Sequence, residues 1–220
     1  MKFLVSQTLL CALLVGVCIA GEPDWNYSEP VVFKDYHDPL AIRLADGRDL
    51  QCAFTEWTYE GEVEKWQPGR KLTITYKPNE GVWLVDDATK KKTRIREGLL
   101  KHPIDIMFHR HMEKEEAFST HGMVEGNIAA ALQWDKEMER IYEEILATLP
   151  EDRKAPVIEA HEKWKEFRDA ESKAILAICD VPGTMHRITA ANRLMHLVRD
   201  RAMELKSYQN EWPGHTRETP

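Results

Sequence analysis

After Thr120 the chain carries three apolar stripes at helical spacing, separated by proline signals, and no other feature narrows its fold as much. Ile128, Ala131, Met138, Ile141, Tyr142, Ile145 and Leu149 recur at three- and four-residue intervals, the period of one helix face. Pro150 ends that run, and Glu151-Asp152 place acids where the next helix has its positive end. Val157, Ala160, Trp164, Phe167, Ala174 and Ile178 mark a second stripe. Pro182-Gly183 breaks the chain again, and Ile188, Ala191, Met195, Val198, Ala202 and Leu205 mark a third. Helices joined by connections this short fold back on one another, so residues 122–209 read as an antiparallel three-helix bundle, with 210–220 as a loose polar tail.

The first half obeys a different period. Between Val31 and Arg96 apolar residues alternate with polar ones. Leu40, Ile42 and Leu44 lead into Asp46-Gly47, a dipeptide that tolerates the positive φ of a tight hairpin, and Leu50, Cys52 and Phe54 return. Leu72, Ile74 and Tyr76 alternate after Pro68-Gly69; Val82 to Val85 and Thr93 to Arg96 follow further turns. About five short antiparallel strands over residues 21–98 predict a small meander or barrel of SH3-like or OB-like character. The fold class is therefore α+β. Trp57, Trp66 and Trp83 are expected to fill the core of this small module. Residues 99–121 read as a linker or short helix, with Pro103 at its start.

Residues 1–20 read as a cleavable secretory signal. Lys2 supplies the positive start, Leu9 to Ile19 the apolar run, and Cys18 and Ala20 the small residues before a cut at Gly21. Val17 stands where a lipoprotein signal places a small residue. The run is short for a span, and no later segment is apolar enough for one, so a periplasmic or secreted protein is expected. Export permits a disulfide between Cys52 and Cys179, and spacing leaves open whether they pair or stay as thiols.

The chemistry-bearing residues exclude more than they assign. There is no Gly-x-Ser-x-Gly elbow, phosphate loop or glycine-rich dinucleotide turn. His161-Glu162 begins like a zinc-protease motif, but Lys165 stands where the second histidine belongs. No enzyme, cofactor or resident metal is expected. His102, His109, His111 and His121, among Glu113, Glu115 and Glu116, form the best alternative metal candidate, since His109 with Glu113 and His111 with Glu115 have i, i+4 spacing. The formal net charge of −7 disfavours nucleic acid as a partner and favours basic proteins. Asp135 falls on the first stripe, and Arg168 lies one turn after Trp164. A charge on a buried face needs a partner. Asp135 and Arg168 are therefore expected to meet across the helix pair, with Trp164 over the guanidinium.

The same residues carry a resemblance. Ala131 to Tyr142, Glu159 to Glu171, and Gly183 through Arg193-Leu194 to Leu205 and Tyr208 resemble the lysozyme inhibitor LprI N-terminal-like family, with the Trp-x-x-Phe-Arg-Asp-Ala run from Trp164 to Ala170 as the most specific segment. Asp135, Tyr142 and Arg193 fit the family pattern, and the resemblance covers about the last hundred residues. It implies stapling disulfides, but Glu171-Ser172 and Asn192 stand where the family has cysteines. It also implies binding without catalysis, a protein partner of the lysozyme-type muramidase class, and Asp135, Tyr142, Trp164, Arg168 and Asp169 as binding residues. The alternative is a non-catalytic envelope interaction or assembly module in which the β half recruits the partner.

Overall fold

The structure, a computed structural model, describes residues 25–38, 41–53 and 63–211. The expected signal at 1–20, Phe54, Trp57 and the tail beyond Glu211 lie outside the described residues.

Six strands form a closed antiparallel barrel: β1 (Tyr27–Asp38), β2 (Ala41–Leu44), β3 (Asp49–Cys52), β4 (Lys71–Lys77), β5 (Gly81–Asp86) and β6 (Lys92–Glu97), in spatial order β1-β2-β3-β6-β5-β4. Two three-stranded meanders thus close on each other. The closing element is β1. Its first half pairs with β4 from Tyr27 opposite Tyr76, and its second half pairs with β2 from Phe33 opposite Leu44. Register shifts at Phe33/Asp35 and Tyr36/Asp38 bend the strand between its two partners. Strand spacing predicts about five strands and a start at Val31; six form, and the extra length at Tyr27 to Pro30 escapes that pattern because Pro30 interrupts it.

Alternation works as read elsewhere. Ile42, Leu44, Leu50, Cys52, Leu72, Ile74, Tyr76 and Leu84 point inward and are almost wholly buried. Trp66 is buried too, edge-on to Phe33 at 5.5 Å. Trp83 is only half-buried, with the Lys92 ammonium 4.4 Å and the Arg94 guanidinium 4.7 Å from its ring. Cys52 and Cys179 are both free thiols. Burial pushes the Cys52 thiol up to about 12, so it is inert as a nucleophile.

Four helices follow: α1 (Pro103–Met112), α2 (Thr120–Thr148), α3 (Glu151–Cys179) and α4 (Thr184–Glu211). The segment read as a linker is largely α1, with proline at its first turn and the His102 Nδ1 accepting from the Ile104 amide at 3.3 Å as its cap. The Ser119 hydroxyl caps α2 by accepting from the Gly122 amide at 3.0 Å. Gly126 lets α1 approach, since a Cβ there would lie 2.9 Å from His111 Cδ2 and Met112 Sδ. The third helix of the bundle extends to Glu211, two residues into the expected loose tail, because Gln209 donates to Glu144 at 2.9 Å and Asn210 reaches the Arg96 carbonyl at 3.5 Å.

One core joins the two halves. Barrel residues Tyr76, Leu84 and Ile95 share a continuous cluster with Ile104 and Met107 of α1, Trp134, Met138 and Ile141 of α2, and Val198, Ala202 and Leu205 of α4. Gln133 donates to the Tyr76 hydroxyl at 2.8 Å inside that core. The helices run up, down and up, so α2 and α4 lie parallel: Asn127 meets Asn192 and Glu144 meets Gln209. Most of the α2 and α4 stripes are buried as read, with Tyr142, Ile145, Leu149 and Ile188 half-buried at their ends.

The stripe of α3 is not. Phe167 is 53% and Ile178 72% exposed, and Ala160 and Ala174 also face water. The buried residues of α3 are instead His161, Arg168, Ser172 and Ile175. This face is rotated by roughly a quarter turn from the apolar stripe, given the helical period. The cause lies on α2, whose facing surface carries Asp135 and Glu139. Leaving those carboxylates half-buried without cationic partners would cost more than leaving Phe167 and Ile178 in water.

Candidate functional site: the seam between the second and third helices

Antiparallel packing of α2 on α3 sets residues in order along a seam. Asp135, Glu139 and Tyr142 on α2 meet Arg168, Lys165 and His161 on α3. The expected charge pair forms: Arg168 Nη1 donates to Asp135 Oδ1 at 2.9 Å. Arg168 also donates to Asp169 Oδ1 from Nε at 3.2 Å and from Nη2 at 3.1 Å. The Trp164 ring lies 5.5 Å from the Arg168 guanidinium on one approach and 5.9 Å from that of Arg201, an α4 residue, on another. The contact with Arg201 links Trp164 to α4, while the one with Arg168 lies within α3 and steadies the guanidinium that reaches Asp135. Tyr142 stacks on His161 with centroids 3.7 Å apart and planes at 13°. All five residues singled out from sequence thus stand in one layer.

Two members of that layer escaped sequence reading. His161 Nε2 lies 3.2 Å from both oxygens of Glu139, and the imidazole is wholly buried. The available signal was the pattern itself: carboxylates at 135 and 139 set opposite basic residues at 168, 165 and 161 once α3 runs antiparallel. His161 read only as an incomplete metal motif.

Electrostatics separates the two carboxylates. Burial pushes the Asp135 carboxyl above its ordinary value, and Arg168 pulls it back only in part. Burial would raise Glu139 as well, but hydrogen bonding from His161, followed by the charges of His161, Lys165 and Arg168, outweighs it and lowers that carboxyl. Arg168→Ala leaves Asp135 facing Trp164 without its cation and is expected to cost about 2 kcal/mol, discounted for the partial exposure of Asp135. Asp135→Asn keeps an acceptor for Arg168 and should cost less than half as much. Urea unfolding of the two variants checks the order.

The His161 ring is wholly buried, stacked on Tyr142 and hydrogen-bonded to Glu139. Past Tyr142 the seam opens into a largely apolar pocket of about 390 Å3 bordered by Leu149, Val157, Leu205 and Tyr208. Of the linker residues, Glu113 caps α1 with its amide on the His109 carbonyl at 3.1 Å, while Glu115 lies in a separate short turn, Glu115–Phe118. Among the described residues, no three His, Cys, Asp or Glu side chains cluster tightly enough to hold a metal ion. His102 is a core residue, tilted on Trp134 at 4.6 Å and edge-on to Tyr76 at 5.6 Å. Burial holds its pKa below the ordinary histidine value.

The helices that build this layer, with the Trp164–Ala170 run at its centre, are the part of the chain with a recognisable relation to known proteins. Residues 112–205 match the family model for lysozyme inhibitor LprI. The match begins at the last residue of α1 and covers α2, α3 and most of α4, under half of the 220 residues. The barrel lies outside it. No curated protein and no solved structure matches the chain. Within the LprI-like segment the structure holds no stapling disulfide among the described residues: Cys179 is free, Ser172 is buried in the α3 interface, and Asn192 donates to Asn127 at 3.2 Å. In this LprI-like unit the ion pair and the Tyr142–His161 stack hold α3 in place.

Proposed function

We propose that this is an exported periplasmic protein whose LprI-like half binds and inhibits lysozyme-type muramidases, with no catalysis of its own. The match of residues 112–205 to an inhibitor family carries this reading. The outward strip of α3 supports it. Phe167, Ala174 and Ile178 recur at seven- and four-residue spacing along one exposed line, and Val181 and Met185 (67% exposed) extend it past the helix end. Exposed aromatic and long aliphatic side chains in a row are what a protein interface buries. The seam behind the strip fixes its backbone, so little conformational freedom is lost on docking. The acidic balance of the chain favours encounter with basic muramidases. No described helix is long and apolar enough to cross a membrane.

The test is lysis of a bacterial cell-wall suspension by a basic muramidase in the presence of purified protein. Lysis should slow in proportion to added protein. Phe167→Asp should weaken inhibition by about tenfold or more, the scale of losing one aromatic anchor, with an unchanged circular dichroism spectrum. Undiminished lysis at large molar excess of the wild-type protein would remove the inhibitor reading and leave the assembly-module reading in its place.

A further inference from the structure

The charge of the molecule is unevenly placed. The chain is acidic overall, yet a cleft of about 270 Å3 between β5 and β6 of the barrel and helices α2 and α4 gathers Arg94, Arg96, Arg140 and Lys206, with Glu137 and Glu144 the acidic residues among the described lining. Both carboxylates are already engaged. Glu137 accepts from Arg140 Nε at 2.9 Å and Nη2 at 2.7 Å. Glu144 pairs with Arg94, lies 2.7 Å from Arg140 Nη1, and accepts from Gln209 at 2.9 Å.

Lys206 is left over. Among the described residues no ion pair reaches it; Glu137 and Glu97 act on it only at longer range. Burial chiefly, then repulsion from Arg140, holds its ammonium below the ordinary lysine value. Arg94 is lowered in the same way, by burial first and Arg140 among the charges, and Arg96 is lowered by burial. Burial thus disfavours the charged forms of Lys206, Arg94 and Arg96, whereas Glu137 and Glu144 stabilise that of Arg140. A fold keeps several like charges together out of water at a cost in stability, which a bound counter-charge removes. Gly81 helps to shape the site: its φ of 79° and missing side chain admit Arg140, whose Cζ a Cβ would meet at 2.8 Å.

We propose that this cleft binds a small oxyanion, a carboxylate or phosphate group on a compact organic body, with Lys206, Arg94 and Arg96 contacting the anion and Val82, Ile95 and Ala147 lining the space for the body. Guanidinium and ammonium groups suit either oxyanion through charge-assisted hydrogen bonds. The site lies where the barrel meets the LprI-like helices. It is independent of the exposed α3 strip and gives the barrel a role in ligand binding.

Calorimetric titration of the purified protein with inorganic phosphate and with succinate, against sodium chloride at matched ionic strength, tests this. One or both oxyanions should bind saturably and raise the unfolding temperature, and chloride should do neither. Phosphate alone would assign a phosphate-bearing ligand, and succinate alone a carboxylate-bearing one. Lys206→Met keeps the apolar stem, removes an unpaired charge, and should weaken binding by about tenfold or more, with muramidase inhibition unchanged. Arg94→Gln gives a second readout with the same expected loss. The absence of saturable binding of either oxyanion at millimolar concentration, or unaltered affinity in both variants, would overturn the proposal.

Discussion

Trp134→Ala is expected to destabilise the whole chain by about 3–5 kcal/mol, the range for removing a fully buried aromatic side chain. Trp134 is 1% exposed and sits where the two halves meet. The His102 ring lies against it at 4.6 Å, the Arg199 guanidinium is 5.6 Å from its centroid, and the barrel residues Tyr76 and Leu84 belong to the same core. Because that core is continuous, the loss should not stay in the helices. Tryptophan fluorescence, which includes Trp66 and Trp83 of the barrel, and far-ultraviolet circular dichroism of the helices should report one transition, shifted together to lower urea. Loss of helix at a urea concentration where the barrel persists would show that the halves do not share stability. Trp134→Phe is the control. Among the described residues the Trp134 Nε1 has no hydrogen-bond partner, so phenylalanine gives up ring volume but also removes a buried unsatisfied donor, and the net loss should be well under half that of alanine.

The second large effect belongs to the barrel. Asp86, 1% exposed at the end of β5, accepts from Arg70 Nε at 3.0 Å and Nη2 at 2.6 Å, from the Ala88 amide at 3.3 Å and the Thr89 amide at 3.2 Å, and from the Thr89 hydroxyl. One carboxylate thus closes the β5–β6 turn and holds Arg70 over Trp66, 4.9 Å from its ring. Asp86→Ala is expected to cost about 3 kcal/mol by removing these charge-assisted bonds together. Its pH dependence has a defined sign. Burial alone would raise this carboxyl, but the Arg70, Thr89 and Ala88 hydrogen bonds outweigh it and bring its pKa from 3.8 down to about 2. A lowered carboxylate pKa stabilises the fold above the unfolded value. That contribution, about 2 kcal/mol, is lost as pH falls from about 4 toward about 2. Urea midpoints of wild type and Asp86→Ala should therefore converge as the pH drops through that window. A constant gap between them would mean that Asp86 acts through packing and not through its charge.

Much of the barrel was legible because strand periodicity is a local property. Leu72, Ile74 and Tyr76 point inward whatever lies across the sheet, and the Asp46-Gly47 hairpin follows from the φ that its residues tolerate (Gly47 has φ 92°). The start of β1 was not legible, since Pro30 breaks the local pattern and the strand is defined by its register on β4. Nor was the Arg70–Asp86 pair, whose members lie sixteen residues apart, one just before β4 and the other at the end of β5.

In the helices the outcome divided by the kind of surface that each one meets. The α2 and α4 stripes are apolar faces buried against apolar faces, so composition at helical spacing identified them. Asp135 and Arg168 meet with Trp164 beside the guanidinium, as the charge on a buried stripe predicts; that Tyr142 and Asp169 stand beside them came from no such argument. The face that α3 turns inward could not be read from α3 alone. Its own stripe favours burying Phe167 and Ile178, and the carboxylates of α2 require Arg168 and His161. The sequence by itself determined where strands and helices form, because alternation and three-to-four spacing act over a few residues. Only the tertiary structure decided which way α3 faces, how the barrel and helices share one core, and where Arg94, Arg140 and Lys206 gather, because those outcomes depend on pairing charges brought together from distant parts of the chain.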